Sequence, residues 1–232
     1  MKIGIIGAGA IGGTLAKHFV GKGHEVVIAN SRGPATLADV AKATGAKPVT
    51  VSEATRGNDL LVVTIPQKAI PDLPKGLLAD IPKDVVVIDT GNYYPVRDGH
   101  LSPLHEGVPE SEWVGTYLGR SVVKAFNNIV ASSLADLGKP ANTAGRIAIP
   151  IAGDDAAAKA KVMKLVDEIG FDAVDAGSIA ESWRQEPGTP CYAADLDAVG
   201  LKKALADAKH DGRSDYRAAA DGMLRSYLAT LA

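Results

Sequence analysis

Short apolar runs rich in β-branched residues, each closed by glycine, proline or asparagine, dominate the first half of the chain. Lys2 to Ile6, Glu25 to Ala29, Lys47 to Val51, Leu60 to Ile65, Asp84 to Asp89 and Ser121 to Phe126 predict six strands. Leu60 to Ile65 is apolar without alternation, the pattern of a parallel strand covered on both faces. Between these runs the period becomes helical. Ile11, Leu15 and Phe19 share one helix face before Gly21 and Gly23 stop it, and Leu37, Val40, Ala41 and Thr44 share another, with Gly45 as C-cap. Ser52 is placed to cap a single turn, Gln67 to Asp80 reads as a helix broken by Pro71 and Pro74, and Ser111 to Leu118 as a regular one. Tyr93 to Pro109, polar and carrying three prolines, reads as a loop over the edge of the site.

Between Gly138 and Gly145 the composition shifts to Gly, Pro, Asn and Ala, and the domain boundary is expected there. Beyond it come a strand from Arg146 to Ile151, a helix capped by Asp154 and running to Ile169, and a strand near Ala173 to Ala176. Helices follow near Ser178 to Arg184, Asp197 to Lys209 and Ser214 to Leu231. In the last of these Tyr216, Met223, Tyr227 and Leu231 form an apolar stripe. Packing on the chain's own body is the expected use, and a homodimer contact the alternative. The expected fold class is therefore α/β: a Rossmann-type doubly wound parallel sheet over residues 1–140 and a smaller C-terminal α/β domain over 141–232 that completes a substrate cleft.

The chemistry starts at the end of the first strand. Gly7-Ala8-Gly9-Ala10-Ile11-Gly12 matches G-x-G-x-x-G, and it sits between a strand and a helix with a second strand following, the context that gives the motif its meaning. Gly7 allows the tight turn, Gly9 lets backbone approach a pyrophosphate, and Gly12 lets helix and strand pack closely. The helix N-terminus adds free N–H groups and partial positive charge. At the end of the second strand, where NAD sites carry an acidic residue, this chain has Asn30-Ser31-Arg32 followed by Gly33-Pro34. A carboxylate would repel a 2′-phosphate, whereas a guanidinium clamps it and Ser31 can donate a further bond, so NADP is expected over NAD. In an open α/β sheet ligands bind beyond the carboxyl ends of the strands. Thr64, Ile65 and Pro66, with Thr90, Gly91 and Asn92, are thus placed to line the groove, and Asn127 and Asn128 stand at the end of the sixth strand.

The remaining composition narrows the classes. With 232 residues, 46% apolar and 22% charged, the chain can bury a substantial core, and a formal net charge of -2 without a basic cluster argues against nucleic acid. Cys191 is the only cysteine, so neither an intramolecular disulfide nor a cysteine-cluster metal site is expected. No apolar run approaches a membrane span, and Met1 leads directly into a strand, so no membrane contact and a cytoplasmic location are expected. No hydrolase motif is present, and the five histidines are scattered. Lys124, inside the sixth strand, is the one lysine placed to serve as a general acid, the plainer expectation being a side chain that snorkels to water. Trp183 and Tyr192 could stack on a flat acceptor ring.

Gly7 to Gly12, Asn30 to Pro34, Val122 to Ile129, Ile149 to Asp154 and Asp175 to Ala180 followed by Trp183, taken in order, resemble the NADP oxidoreductases dependent on coenzyme F-420. The same pattern is similar to the NADPH domain of six-transmembrane ferric reductases, whose membrane segments have no counterpart here. The resemblance implies NADP at the strand ends and a flavin or deazaflavin (coenzyme F-420, FMN or FAD) stacked over the nicotinamide as a small-molecule redox acceptor. It also implies that Ser31 and Arg32 contact the 2′-phosphate, that Ile65 and Pro66 form the turn beside the cofactor, and that Ala125, Phe126 and Asn127 form the wall near the nicotinamide. Some members carry a further lysine where Thr36 stands here, which leaves the phosphate to Arg32. The expected function is hydride transfer between NADPH and a deazaflavin or flavin. The alternatives are an NADP-dependent dehydrogenase of a small carbonyl compound or hydroxy acid, and a protein that senses NADP without catalysis.

Overall fold

β1 (Lys2–Ile6) and its partner β4 (Leu60–Val63) are apolar throughout their buried length because each lies inside a parallel sheet with both faces covered. A computed structural model describes residues 1–230 and arranges six parallel strands in the order β3-β2-β1-β4-β5-β6. The others are β2 (Glu25–Ala29), β3 (Lys47–Pro48), β5 (Val86–Asp89) and β6 (Val123–Lys124). This is the doubly wound order, reversing between β1 and β4, and the reversal opens a crevice at the strand ends. Strands β7 (Ala148–Ile151) and β8 (Asp172–Asp175) form a separate parallel pair, and an antiparallel bridge from Lys124 to Ala152 links it to β6.

The helices are α1 (Ala10–Gly21), α2 (Ala38–Thr44), α3 (Glu110–Leu118), α4 (Ala131–Asp136), α5 (Ala156–Glu168), α6 (Ala198–Asp207) and α7 (Arg213–Ala229). Alternate strand residues point to opposite faces of the sheet. Ile3, Ile5, Ile28, Val62 and Ile88 meet Leu15 and Phe19 of α1, in one apolar cluster that continues through Ile149, Ile151, Leu165 and Phe171. Ile6, Leu61, Val63 and Val87 enter the opposite layer with Val114 of α3.

Several local expectations are corrected. Thr50, not Ser52, caps the turn Val51–Ala54: its hydroxyl accepts from the Glu53 amide while Glu53 bonds back to the Thr50 amide at 2.8 Å. Asp155, not Asp154, caps α5, accepting from Ala157 and Ala158, and Asp154 instead receives the Ile179 amide. Tyr93 to Pro109 contains two single-turn helices, Pro95–Asp98 and Ser102–His105, and Tyr93 itself is fully buried. The largest departure concerns α7, where Ala220 alone is buried. Met223 is 74% and Tyr227 59% exposed, so this part of the stripe does not pack on the body as expected, whereas Tyr216 is part-buried against Gly188; Leu231 lies outside the described residues. The helix is held instead by polar contacts, Asp221 accepting the Val96 amide at 2.6 Å and Arg213 reaching Glu186 at 3.2 Å. Among the described residues no helix is long and apolar enough to cross a membrane.

Candidate functional site

Three glycines at the β1–α1 turn occupy quite different surroundings. Gly7 has φ +117°, and a Cβ there would lie 2.1 Å from the Thr64 carbonyl oxygen; one on Gly12 would lie 2.0 Å from the Gly7 carbonyl oxygen. Both are therefore fixed by packing between β1, α1 and the end of β4. Gly9 is exposed and extended, and a Cβ added to it would meet nothing within 4 Å. It is the N-cap of α1 and offers no side chain, and the first helical bond runs from the Gly13 amide to its carbonyl at 2.8 Å. The amides before Gly13 have no partner inside the helix, and Gly9 and Ala10 at this end of it are exposed. Ile11 turns inward against the core. This turn fits a bound pyrophosphate: packed behind, open in front and lined with donors.

The second part of the cradle is the turn after β2. Asn30 braces it, its Oδ1 accepting the Arg32 amide at 3.0 Å and its Nδ2 donating to the Thr36 hydroxyl at 2.9 Å, while that hydroxyl donates to the Gly33 carbonyl at 2.8 Å. Gly33 has φ +88°, a backbone that glycine adopts without strain. Ser31 and Arg32 are exposed on this braced turn, and among the described residues the Arg32 guanidinium has no protein partner. Thr36, which stands in place of a second cation, is the side chain that shapes the turn.

At the carboxyl ends of β4, β5 and β6 the structure brings together most of the remaining candidates. Thr64 backs the glycines, with Ile65 part-exposed and Pro66 exposed beyond it. Thr90 and Gly91 are buried, and the Asp89 carboxylate accepts the Gly91 amide at 2.9 Å. Asn92 donates to the Asn127 carbonyl (2.8 Å) and to the Tyr192 hydroxyl (3.2 Å). Asn127 Nδ2 in turn donates to Asn92 Oδ1 (3.1 Å) and the Gln185 carbonyl (2.6 Å), and its Oδ1 accepts from Gln185 Nε2 (2.9 Å). Tyr94 and Tyr192 share a hydrogen bond of 2.5 Å between their hydroxyls. Ala125 is buried, and Phe126 beside it has φ +61°, a conformation that costs a non-glycine residue about 1–3 kcal/mol and marks functional sites. Asn128 is buried, its carbonyl accepting the Ala193 amide at 2.7 Å.

Sequence reasoning missed Tyr94, Gln185 and Gln67. Gln67 is fully buried, with both amide atoms unpartnered, against Gly91. No local spacing could have found Tyr94 and Gln185, because their partners lie 98 and 58 residues away respectively. Trp183 is 4% exposed; Arg184 covers its face at 4.4 Å and His210 meets it edge-on. Its ring is occupied by packing, and the expected stacking on an acceptor does not fit it.

Lys124 neither snorkels nor faces the groove. It is fully buried, donating to the Gly91 carbonyl at 3.0 Å and to Glu110 at 3.3 Å, with Asp89 at 4.0 Å. Asp89 accepts the Ser111 hydroxyl at 2.6 Å, and Glu186 joins the cluster through the Glu110 amide and Arg213. Desolvation pulls the Lys124 ammonium down, but Glu110, Asp89 and Glu186 outweigh it and hold the group charged. Burial, then the neighbouring Glu186, push the Glu110 carboxyl up to about 8. With Glu110 protonated, Lys124 and Arg213 balance Asp89 and Glu186, whereas its ionisation would leave an excess negative charge in a dry site.

The folded state binds the Glu110 proton more tightly than the unfolded state. Its contribution to stability is full below about 4.5 and is lost as the pH rises through about 8. Glu110→Gln keeps the shape and removes the titration. Urea unfolding across that window should show a flatter decline of stability with pH in the variant; identical slopes would rule out Glu110 as the titrating group.

The fold and the strand-end cradle define a dinucleotide-binding α/β protein of the Rossmann type. The family described as "NADP oxidoreductase coenzyme F420-dependent" matches residues 2–93. The crystal structure of a hypothetical protein, SMa0349 of Sinorhizobium meliloti, is 31% identical with a TM-score of 0.72 over 84% of this chain and 95% of that one. A protein of Arthrobacter sp. FB24, assigned as an F420-dependent NADP-reductase, is 27% identical with a TM-score of 0.65 over 77% and 86%. Metalloreductase STEAP3 of Rattus norvegicus is 28% identical over 181 residues, 78% of this chain and 35% of its own length. Residues 2–93 belong to the family of coenzyme F420-dependent NADP oxidoreductases. It spans 56%, 35% and 17% of the length of three curated relatives that it matches.

Proposed function

We propose that the chain transfers a hydride between NADP(H) and a deazaflavin such as coenzyme F-420, or a flavin. The observation that carries this reading is the two-part cradle: an open Gly9 before the free amides of α1, and a braced Ser31–Arg32 turn at the end of the neighbouring strand. The α1 amides bind the pyrophosphate, Ser31 and Arg32 hold the 2′-phosphate, and Ile65, Pro66, Thr90, Asn92, Ala125 and Asn127 line the path to the nicotinamide. The nicotinamide and the acceptor ring themselves supply the redox chemistry. The protein's task is to bring the rings together and keep water out, and the strand ends carry amides and hydroxyls suited to that. A hydroxy-acid dehydrogenase built on Lys124 is disfavoured, because that side chain is fully buried and committed to Glu110 and Gly91.

The test is NADPH oxidation, followed by the absorbance of the reduced nicotinamide, with the deazaflavin coenzyme, FMN, FAD and a panel of small carbonyl compounds offered separately. Turnover with the deazaflavin or a flavin supports the proposal, and turnover with a carbonyl compound alone overturns it. Tight NADPH binding with no acceptor at all would make the chain an NADP sensor. Arg32→Ala should weaken NADPH by about 1.5–3 kcal/mol, as for a hydrogen bond to a charged group, and leave NADH nearly unchanged. Equal losses for both nucleotides in calorimetric titration would remove Arg32 from the 2′-phosphate.

A further inference from the structure

We infer that the Tyr94–Tyr192 hydroxyl pair supplies a hydrogen-bond donor to the hydride acceptor at the ends of β5 and β6. The inference rests on the function proposed above and follows from counting protons. The Asn92 amide is fixed on both sides by Asn127, so that its Nδ2 donates to the Tyr192 oxygen and cannot accept from it. One of the pair's two protons lies between the hydroxyl oxygens. Whichever tyrosine provides that one, the other proton has no acceptor among the described residues. Both tyrosines, like Asn92, are only part-buried, and their hydrogen bonds tie them to Asn92 and Asn127 beyond the ends of β5 and β6.

Desolvation raises both hydroxyls above the ordinary tyrosine range, so the pair keeps its protons at every working pH and acts as a donor. The ligand it fits has an electronegative atom, a ring nitrogen or carbonyl oxygen, conjugated with the ring atom that receives the hydride, a carbon in a deazaflavin and a nitrogen in a flavin. In such an acceptor the nicotinamide C–H bond breaks with its electron pair, a C–H bond (deazaflavin) or N–H bond (flavin) forms on the acceptor, and the displaced π electrons place negative charge on the conjugated electronegative atom. The tyrosine O–H stabilises this charge by hydrogen bonding, and water supplies the proton that completes the reduction.

The two hydroxyls are not equivalent, because Asn92 anchors only Tyr192. Tyr94→Phe should lower kcat about threefold, the smaller loss, since the donor that Asn92 anchors remains. Tyr192→Phe should lower it about tenfold, and the double variant roughly 100-fold, the effect of losing a donor to developing charge. NADPH affinity should change less than about twofold throughout, which a merely structural role would not predict. A second readout needs no turnover: the fluorescence of the oxidised deazaflavin or FMN reports its binding to the NADP-loaded protein, which the double variant should weaken about tenfold. Thermal unfolding checks that the variants fold, and if the double variant does not, Tyr192→Phe decides alone. Unchanged kcat and acceptor affinity, or equal losses of NADPH affinity and turnover, would overturn the inference. Should the wild type reduce none of the acceptors, the proposed function fails and binding decides the pair: weaker binding in the variant supports its role, and equal or absent binding ends it.

Discussion

Lys124→Met is expected to lower the free energy of unfolding by roughly 3–5 kcal/mol, the usual effect of removing one partner from a buried ion pair. Methionine fills a similar volume, so the loss is electrostatic rather than a cavity effect. It strands the Asp89 carboxylate, which keeps only the Ser111 hydroxyl and the Gly91 amide, and it frees the Gly91 carbonyl. Gly91 lies between Thr90 and Asn92, which the proposed cofactor path uses, so nucleotide affinity should fall along with stability. Chemical denaturation measures the first and nucleotide titration the second. A variant as stable as the wild type would mean that water reaches the cluster.

Gly9→Val should do the reverse. Its backbone, φ -78° and ψ -166°, suits any residue, and the added atoms enter empty space. Unfolding should shift by no more than about 1 kcal/mol, the range of N-cap substitutions. NADPH binding should fall at least about 100-fold, about 2.8 kcal/mol, because the side chain occupies the volume through which a pyrophosphate approaches the α1 amides. Gly7→Ala supplies the contrast, since its methyl would stand 2.1 Å from a carbonyl oxygen at φ +117° and stability itself should be lost. If Gly9→Val bound NADPH normally, the nucleotide would have to lie elsewhere.

These contrasts mark what the sequence alone could carry. The strand–turn–helix–strand over the first thirty residues was legible because its signals are local: apolar runs, glycines at fixed offsets and a cationic turn. The doubly wound class followed from helices alternating with strands, while the strand order itself came from the structure. Lys124 was not legible. Its burial depends on Glu110 and Asp89 arriving from other elements, and sequence distance says nothing of that. Thr36 was readable as a missing cation but not as a brace, because bracing depends on the turn's own geometry. The stripe on α7 shows the limit of amphipathic reasoning: it locates an apolar face without saying what, if anything, lies against it.

The long last helix with its single buried residue has a consequence for how the molecule opens. A helix docked by a few polar contacts, with little apolar surface removed from water, melts on its own well before the sheet does. When it lifts, Arg213 leaves Glu186, and the charge balance around Glu110 and Lys124 is lost far from any solvent-facing turn. Breathing of this helix is thereby coupled to the charge balance around Lys124 and Asp89, through the guanidinium on its first turn that pairs with Glu186.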